Sequence, residues 1–211
     1  MIQKNNFFNT LTELFPKRIW QIPLEKTGRW IWGGVCIWGI FLFYAGFSII
    51  PLILSLLLAF FLLWITIIDI RWHIIPFPLI FLATLGLGIA RWTIETHNSG
   101  WQILLELAII AGIGMLISGL YFLFRGRKGW GWGDIFLLIM IGSSMGLTDT
   151  LISFLWAVLL GSAWGFSLWM KQQKRLTSPI PMAPFITIGV FITQIWGNQI
   201  LSFFTQIVIF F

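Results

Sequence analysis

The chain has 211 residues, of which 58% are hydrophobic and only 9% charged, against roughly 25% charged in an average soluble domain. With a mean hydropathy of +0.93, charges this scarce cannot coat a surface facing water, so a soluble globular domain is excluded. An aromatic content of 18% excludes a disordered chain, because disorder goes with few aromatics and abundant charge. The formal net charge of +6 does not make a nucleic-acid face, since the basic residues are dispersed rather than gathered into a stripe.

Residues 1–29 form the only long polar stretch. Within it Phe7, Phe8, Leu11, Leu14 and Phe15 recur at helical spacing, which predicts an amphipathic helix over 6–16 lying in the surface of the lipid bilayer. A cleaved signal peptide does not fit, because its apolar core is about 7–15 residues and the first uncharged run here, 30–68, is far longer. Uncharged runs also cover 107–124, 150–170 and 176–211, with 72–90 interrupted only by His73. Apolar runs of about 18 residues or more read as transmembrane helices. The spans in chain order are 30–48, 51–68, 76–94, 102–124, 134–148, 151–170 and 182–197. A short apolar segment, 200–211, follows. The fold class is an all-α polytopic membrane bundle of about seven spans, with 1–29 as a cytoplasmic N-terminal segment and 30–211 as the transmembrane domain.

Charge counting gives the orientation. With a cytoplasmic N-terminus, every one of the 13 Lys and Arg residues except Arg91 falls on the inside, as the positive-inside rule expects. An error of one span would destroy that separation. Trp30, Trp72, Trp92, Trp101, Trp130, Trp132, Trp169 and Trp196 fall near span ends, where indole rings settle. These features together predict a multi-pass protein of the cell membrane.

The seven acids divide into two groups. Glu13 and Glu25 lie in the polar N-terminal stretch, Glu95 is spaced to pair with Arg91, Glu106 sits inside the outer end of the fourth span, and Asp149 suits a turn. Asp69 closes the second span and Asp134 opens the fifth, so both fall at the cytoplasmic boundary. Ionisable groups at membrane depth are costly and mark function. Two adjacent carboxylates can share one proton, the ionised one drawing a proton from water while the other polarises a peptide carbonyl. The plainer alternative has Asp69 bonding Arg71 and Asp134 capping its own helix. Gly129, Gly131 and Gly133 alternate with Trp130 and Trp132 ahead of Asp134, a spacing that permits close backbone approach and positive φ. His73, four positions after Asp69, reads first as a satisfied interfacial residue. A single cysteine, Cys36, reads as a small buried hydrophobe. With two histidines on opposite sides, it cannot assemble a metal site.

The motif "GWGWGD" at 129–134 contains the GxGD signature of membrane aspartyl peptidases. "DIRWHIIP" at 69–76 resembles the first motif of the type IV prepilin leader peptidase family, and "SPIPMAPF" at 178–185 resembles that family's C-terminal proline-rich stretch. The resemblance spans about 50–197. It implies that Asp69 and Asp134 are the catalytic pair, with Pro76, Gly131, Gly133, Pro181 and Pro184 supporting the motifs. It also implies removal of the basic leader from prepilin or pseudopilin precursors at the cytoplasmic face. Two positions depart from the family's pattern: Phe136 stands where a lysine is usual, and Phe77 where Asp or Asn is common. The cysteine-rich N-terminal region of two-activity members is missing, so the resemblance implies no N-methyltransferase activity and no cofactor, neither S-adenosylmethionine nor zinc. Competing readings are a presenilin-like intramembrane peptidase, whose YD and PAL motifs are not matched; a transporter or scaffold using the boundary acids; and an inactive paralogue.

Overall fold

The computed structural model describes residues 24–94, 100–125, 131–170 and 181–210. Among them are seven helices: α1 (Leu24–Tyr44), α2 (Ile49–Trp72), α3 (Phe77–Ile94), α4 (Gly100–Arg125), α5 (Trp132–Met145), α6 (Leu147–Met170) and α7 (Ala183–Phe210). Five of them, α2, α3, α4, α6 and α7, are long and apolar enough to cross a membrane. The long apolar runs propagate as helix because in hydrocarbon every backbone polar group must be satisfied within its own segment. The chain breaks where backbone chemistry demands it: at Gly46 (φ 83), at His73 (φ 54) ahead of Pro76, and at Gly146 (φ 86).

Successive helices run up and down. The start of α1, the end of α2, and the starts of α3, α5 and α7 share one end of the bundle. Trp38 of α1 donates its indole N–H to Gln194 of α7 at 2.7 Å, tying the first helix to the last. Leu58, Leu62 and Ile65 of α2 meet Ile80 and Leu87 of α3, Leu137, Met140 and Ile141 of α5, and Ile186 and Val190 of α7 in one fully buried core. The outward faces carry large apolar side chains such as Phe43, Leu82, Leu116 and Phe124, as a bundle solvated by lipid requires.

α5 has 14 residues, about 20 Å of helix against about 30 Å of hydrocarbon. Nine of its residues, from Asp134 to Ser144, are buried. It lies between α3 and α4, with α2 and α6 also against it. The short fifth span expected from sequence is therefore the most enclosed helix.

Several expectations change. Of the apolar piece expected over 200–211, residues 200–210 continue the helix from 183–197 as the single α7, since Gly197 and Asn198 do not break it, and Trp196 consequently sits mid-helix rather than at a span end. Cys36 is exposed, not buried. It faces away from Ile31, Trp38 and Leu42, the buried stripe of α1, and a lipid-facing surface can be as apolar as a core. The amphipathic helix expected over 6–16 lies outside the described residues.

α6 and α7 pack tightly through small residues, the usual means by which membrane helices approach closely. A Cβ on Gly189 would collide with the Ser153 carbonyl oxygen and lie 3.2 Å from the Ala157 backbone nitrogen. Neither is the flexible end of a side chain. Gly189→Ala is therefore expected to cost roughly 1–3 kcal/mol. Ile188→Ala, at a lipid-facing neighbour, is expected to stay within about 0.5 kcal/mol. Thermal unfolding in detergent micelles compares the two, and equal effects would contradict this packing.

Candidate active site

Three helix ends converge at one end of the bundle. In the last turn of α2, the Asp69 carbonyl accepts the His73 N–H at 2.9 Å, and His73 adopts the left-handed conformation that ends the helix. Histidine tolerates this conformation better than bulky or β-branched residues do. The turn sends 74–76 back over the helix end. Pro76, which is buried, then opens α3, its carbonyl accepting the N–H groups of Leu79 and Ile80 at 3.2 Å each.

Asp134 is the third residue of α5, after Gly131 at the N-cap. Its backbone N–H bonds the Gly131 carbonyl at 3.1 Å, and its carboxyl reaches back to the Gly131 backbone N–H. This is one half of a capping box, with a glycine in place of the reciprocating Ser or Thr. Gly131 has φ −74 and ψ 142, and Gly133 lies inside α5. Neither takes the positive φ expected of them; what Gly133 supplies is space. A Cβ there would lie 2.9 Å from both Cβ and Cδ1 of Ile75, so the loop after Asp69 closes directly onto the turn before Asp134.

The third element is the start of α7. The Ala183 N–H donates to Asp69 Oδ2 at 3.0 Å, and the Met182 N–H also faces that carboxyl. A helix N-terminus leaves four N–H groups without intrahelical partners. Here Pro184, second in α7, has no N–H to satisfy, and Ala183 gives its own to Asp69. One turn further along, Thr66 of α2 and Thr187 of α7 share a hydroxyl bond of 2.7 Å, while Thr187 donates to the Ala183 carbonyl at 2.9 Å. With Thr187's one proton thus committed, Thr66 is the donor between them. Pro181 immediately precedes the site and is half-buried.

Asp69 and Asp134 are 5% and 9% exposed, and the Asp69 carboxyl is close enough to act electrostatically on Asp134. The exposed His73 imidazole also lies within electrostatic reach of Asp69. Two carboxyls within electrostatic reach of each other, each beside a backbone N–H donor, are the arrangement that can share one proton and bind a water. Among the described residues, no cluster of three or more His, Cys, Asp or Glu is arranged to hold a metal. Phe77 and Phe136, the two positions that depart from the family's pattern, touch each other edge to face, with ring centroids 4.8 Å apart at 76°. Phe77 also stacks on Phe81, so an aromatic contact joins the starts of α3 and α5.

Sequence reasoning missed Ala183, Thr66, Thr187 and Ile75 as parts of this site. Backbone donors have no side-chain signature, and threonines inside apolar runs look like ordinary membrane-helix residues. Gly129, Trp130 and residues 178–180 of the motifs lie outside the described residues, as does Glu95. Arg91 pairs with Glu106, across to α4, at 2.7 Å.

The type IV leader peptidase family matches residues 56–166. The chain is 30% identical over 156 residues to the prepilin leader peptidase/N-methyltransferase of Stutzerimonas stutzeri, covering 72% of this chain and 52% of that protein. It is 27% identical over 182 residues to the protein of the same name from Pseudomonas putida, covering 84% and 59% respectively. Against that of Bacillus subtilis it is 31% identical over 78 residues, 37% of this chain and 32% of the relative. The chain thus spans about half the length of the Stutzerimonas protein. No solved structure matches it.

Gly133→Ala should force Ile75 outward, at a cost of roughly 1–3 kcal/mol. Adding Ile75→Ala, which removes Cγ1 and Cδ1 while keeping Cβ, should return part of that loss. Unfolding of the two single variants and the double variant measures the coupling; strictly additive effects would mean that the two residues do not touch.

Proposed function

This chain belongs to the type IV leader peptidase family, and from that premise we propose that it is an aspartyl endopeptidase removing basic leaders from prepilin-like precursors at the cytoplasmic membrane face. The observation that carries the reading is the meeting of two buried carboxyls, Asp69 and Asp134, at the joined ends of α2, α5 and α7. The family match supplies the reaction class, and the charge count supports the cytoplasmic side for that end of the bundle.

In this mechanism the pair holds one proton and one water. The ionised carboxylate takes a proton from the water as its oxygen attacks the scissile carbonyl, and the protonated carboxyl hydrogen-bonds the carbonyl oxygen. The tetrahedral intermediate then collapses, the C–N bond breaks, and a proton passes from the pair to the leaving amine. The sum is one water consumed and one peptide bond cleaved, with no covalent acyl-enzyme. The Ala183 N–H steadies negative charge on Asp69, as helix N-termini do for anions. The exposed Phe77 and its neighbour Phe136, at the starts of α3 and α5, give this end of the bundle an apolar surface that suits a substrate whose scissile bond adjoins a hydrophobic helix. No cofactor takes part in these steps, and no N-methyltransferase activity is proposed for this chain.

Asp69→Asn and Asp134→Asn, coexpressed with a panel of prepilin-like precursors, should each lower leader cleavage by at least on the order of 10²-fold. Asp69→Asn keeps an oxygen to accept the Ala183 N–H, so membrane insertion and thermal stability should change little. Cleavage at the wild-type rate by both variants would sink the aspartyl mechanism.

Orientation is tested separately with single cysteines on a Cys36→Ala background. An impermeant maleimide should label His97→Cys in intact cells and Arg127→Cys only after permeabilisation. The reverse pattern would put the carboxyls on the outer side.

A further inference from the structure

At the end of the bundle opposite the two carboxyls, Arg91 of α3 is 5% exposed. Its Nη1 donates to Glu106 Oε2 of α4 at 2.7 Å and to the carbonyl oxygen of Gly142 in α5 at 3.2 Å. Gly142 begins the last turn of α5, whose carbonyls carry the negative end of the helix dipole. The Gly146 N–H meets the same carbonyl at 3.0 Å. Gly146 is held to glycine twice over. Its φ is 86, and a Cβ would lie 2.9 Å from Arg91 Nη2, so the guanidinium lies flush against the turn that ends α5. The other charged group facing Arg91 among the described residues is Asp149, at the start of α6.

We propose that Arg91 is a positioning residue that clamps the C-terminal end of α5 and thereby sets where Asp134, on the same helix, stands relative to Asp69. The proposal rests on the peptidase reading above. The apolar packing around α5 is non-directional and resists sliding or rotation of the helix only weakly. Directional bonds from neighbouring helices must fix its depth and rotation. Near Asp134 the capping bonds are internal to α5 and move with it, while the Ile75–Gly133 contact is a steric stop in one direction only. Arg91 anchors the helix backbone to α3 and, through Glu106, to α4. Eight residues separate Gly142 from Asp134, about 12 Å along a stiff helix. A displacement at the clamp therefore arrives undiminished at the carboxyl. Both bonds leave from Nη1, whose N–H groups are held at fixed angles in the rigid guanidinium plane, whereas a lysine ammonium is a rotatable point charge.

The test uses the full chain in membranes with a prepilin-like precursor, comparing wild type, Arg91→Gln, Arg91→Lys, Glu106→Gln and Asp134→Asn. Misplacing a catalytic group by about 1 Å costs on the order of 10²-fold in rate. Arg91→Gln should therefore lower kcat to that extent with KM within about twofold of wild type. It should also shift the pH–rate profile, because the spacing of the two carboxyls sets their titration. Arg91→Lys should recover part of kcat, and Glu106→Gln should fall between wild type and Arg91→Gln. A merely structural Arg91 would reduce the amount of active protein and leave both kcat per active molecule and the pH profile of the surviving enzyme unchanged; that result overturns the proposal. Should Arg91→Gln fail to accumulate, Arg91→Lys decides the matter, and wild-type kcat with a wild-type profile overturns it. Asp134→Asn separates the two levels of the argument. If it cleaves normally the peptidase reading itself fails, and if it is inactive while the Arg91 variants match wild type only the clamp fails.

Discussion

The arrangement depends on a short helix held inside longer ones. α5 is too short to span the hydrocarbon by itself and is enclosed by α2, α3, α4 and α6. Its N-terminal carboxyl, Asp134, consequently sits among other helix ends and is nearly excluded from solvent. An acid in such a place must find its partners in the protein. Those available are the Gly131 N–H in its own first turn and the carboxyl of Asp69. At the opposite end of α5 a cation, Arg91, bonds the last-turn carbonyl of Gly142.

The three motif segments of the resemblance are joined into one construction by their contacts. Asp69 accepts an N–H from the start of α7, in the proline-rich segment. Ile75, in the loop that leaves Asp69, presses on Gly133 beside Asp134. Phe77, following Pro76, packs on Phe136 one turn below Gly133. Each segment touches the other two or shares a partner with them. The prolines and glycines in them act mainly by what they omit: an N–H at Pro184 and a Cβ at Gly133. The Thr66–Thr187 hydroxyl bond repeats the α2–α7 tie one turn deeper.

Much of this was legible in the sequence. Charge-free runs mark the helices, and the alternation of spans puts Asp69 and Asp134 at one end of the bundle. The illegible parts share a physical cause. Local spacing gives no hint that Arg91 pairs with Glu106, because helix packing, not sequence separation, brings α3 and α4 together. Cys36 in an apolar run could not be told from a core residue, since lipid and core select the same side chains. The glycines before Asp134 signalled a special backbone without saying whether it was strain or proximity; at Gly133 it is proximity. The Ala183 N–H, which touches Asp69, is a backbone group that every non-proline residue carries, so only the fold could single it out.

The central claim is that Asp69 and Asp134 face each other across the α2–α5 contact. It is tested most directly by replacing both with cysteine on a Cys36→Ala background and treating native membranes with a short bis-methanethiosulfonate reagent. An intramolecular cross-link between 69 and 134, absent from either single-cysteine chain, is the predicted result. Failure to cross-link would contradict the account, provided that a control cysteine pair at Thr66 and Thr187, whose hydroxyls lie 2.7 Å apart, reacts in the same membranes.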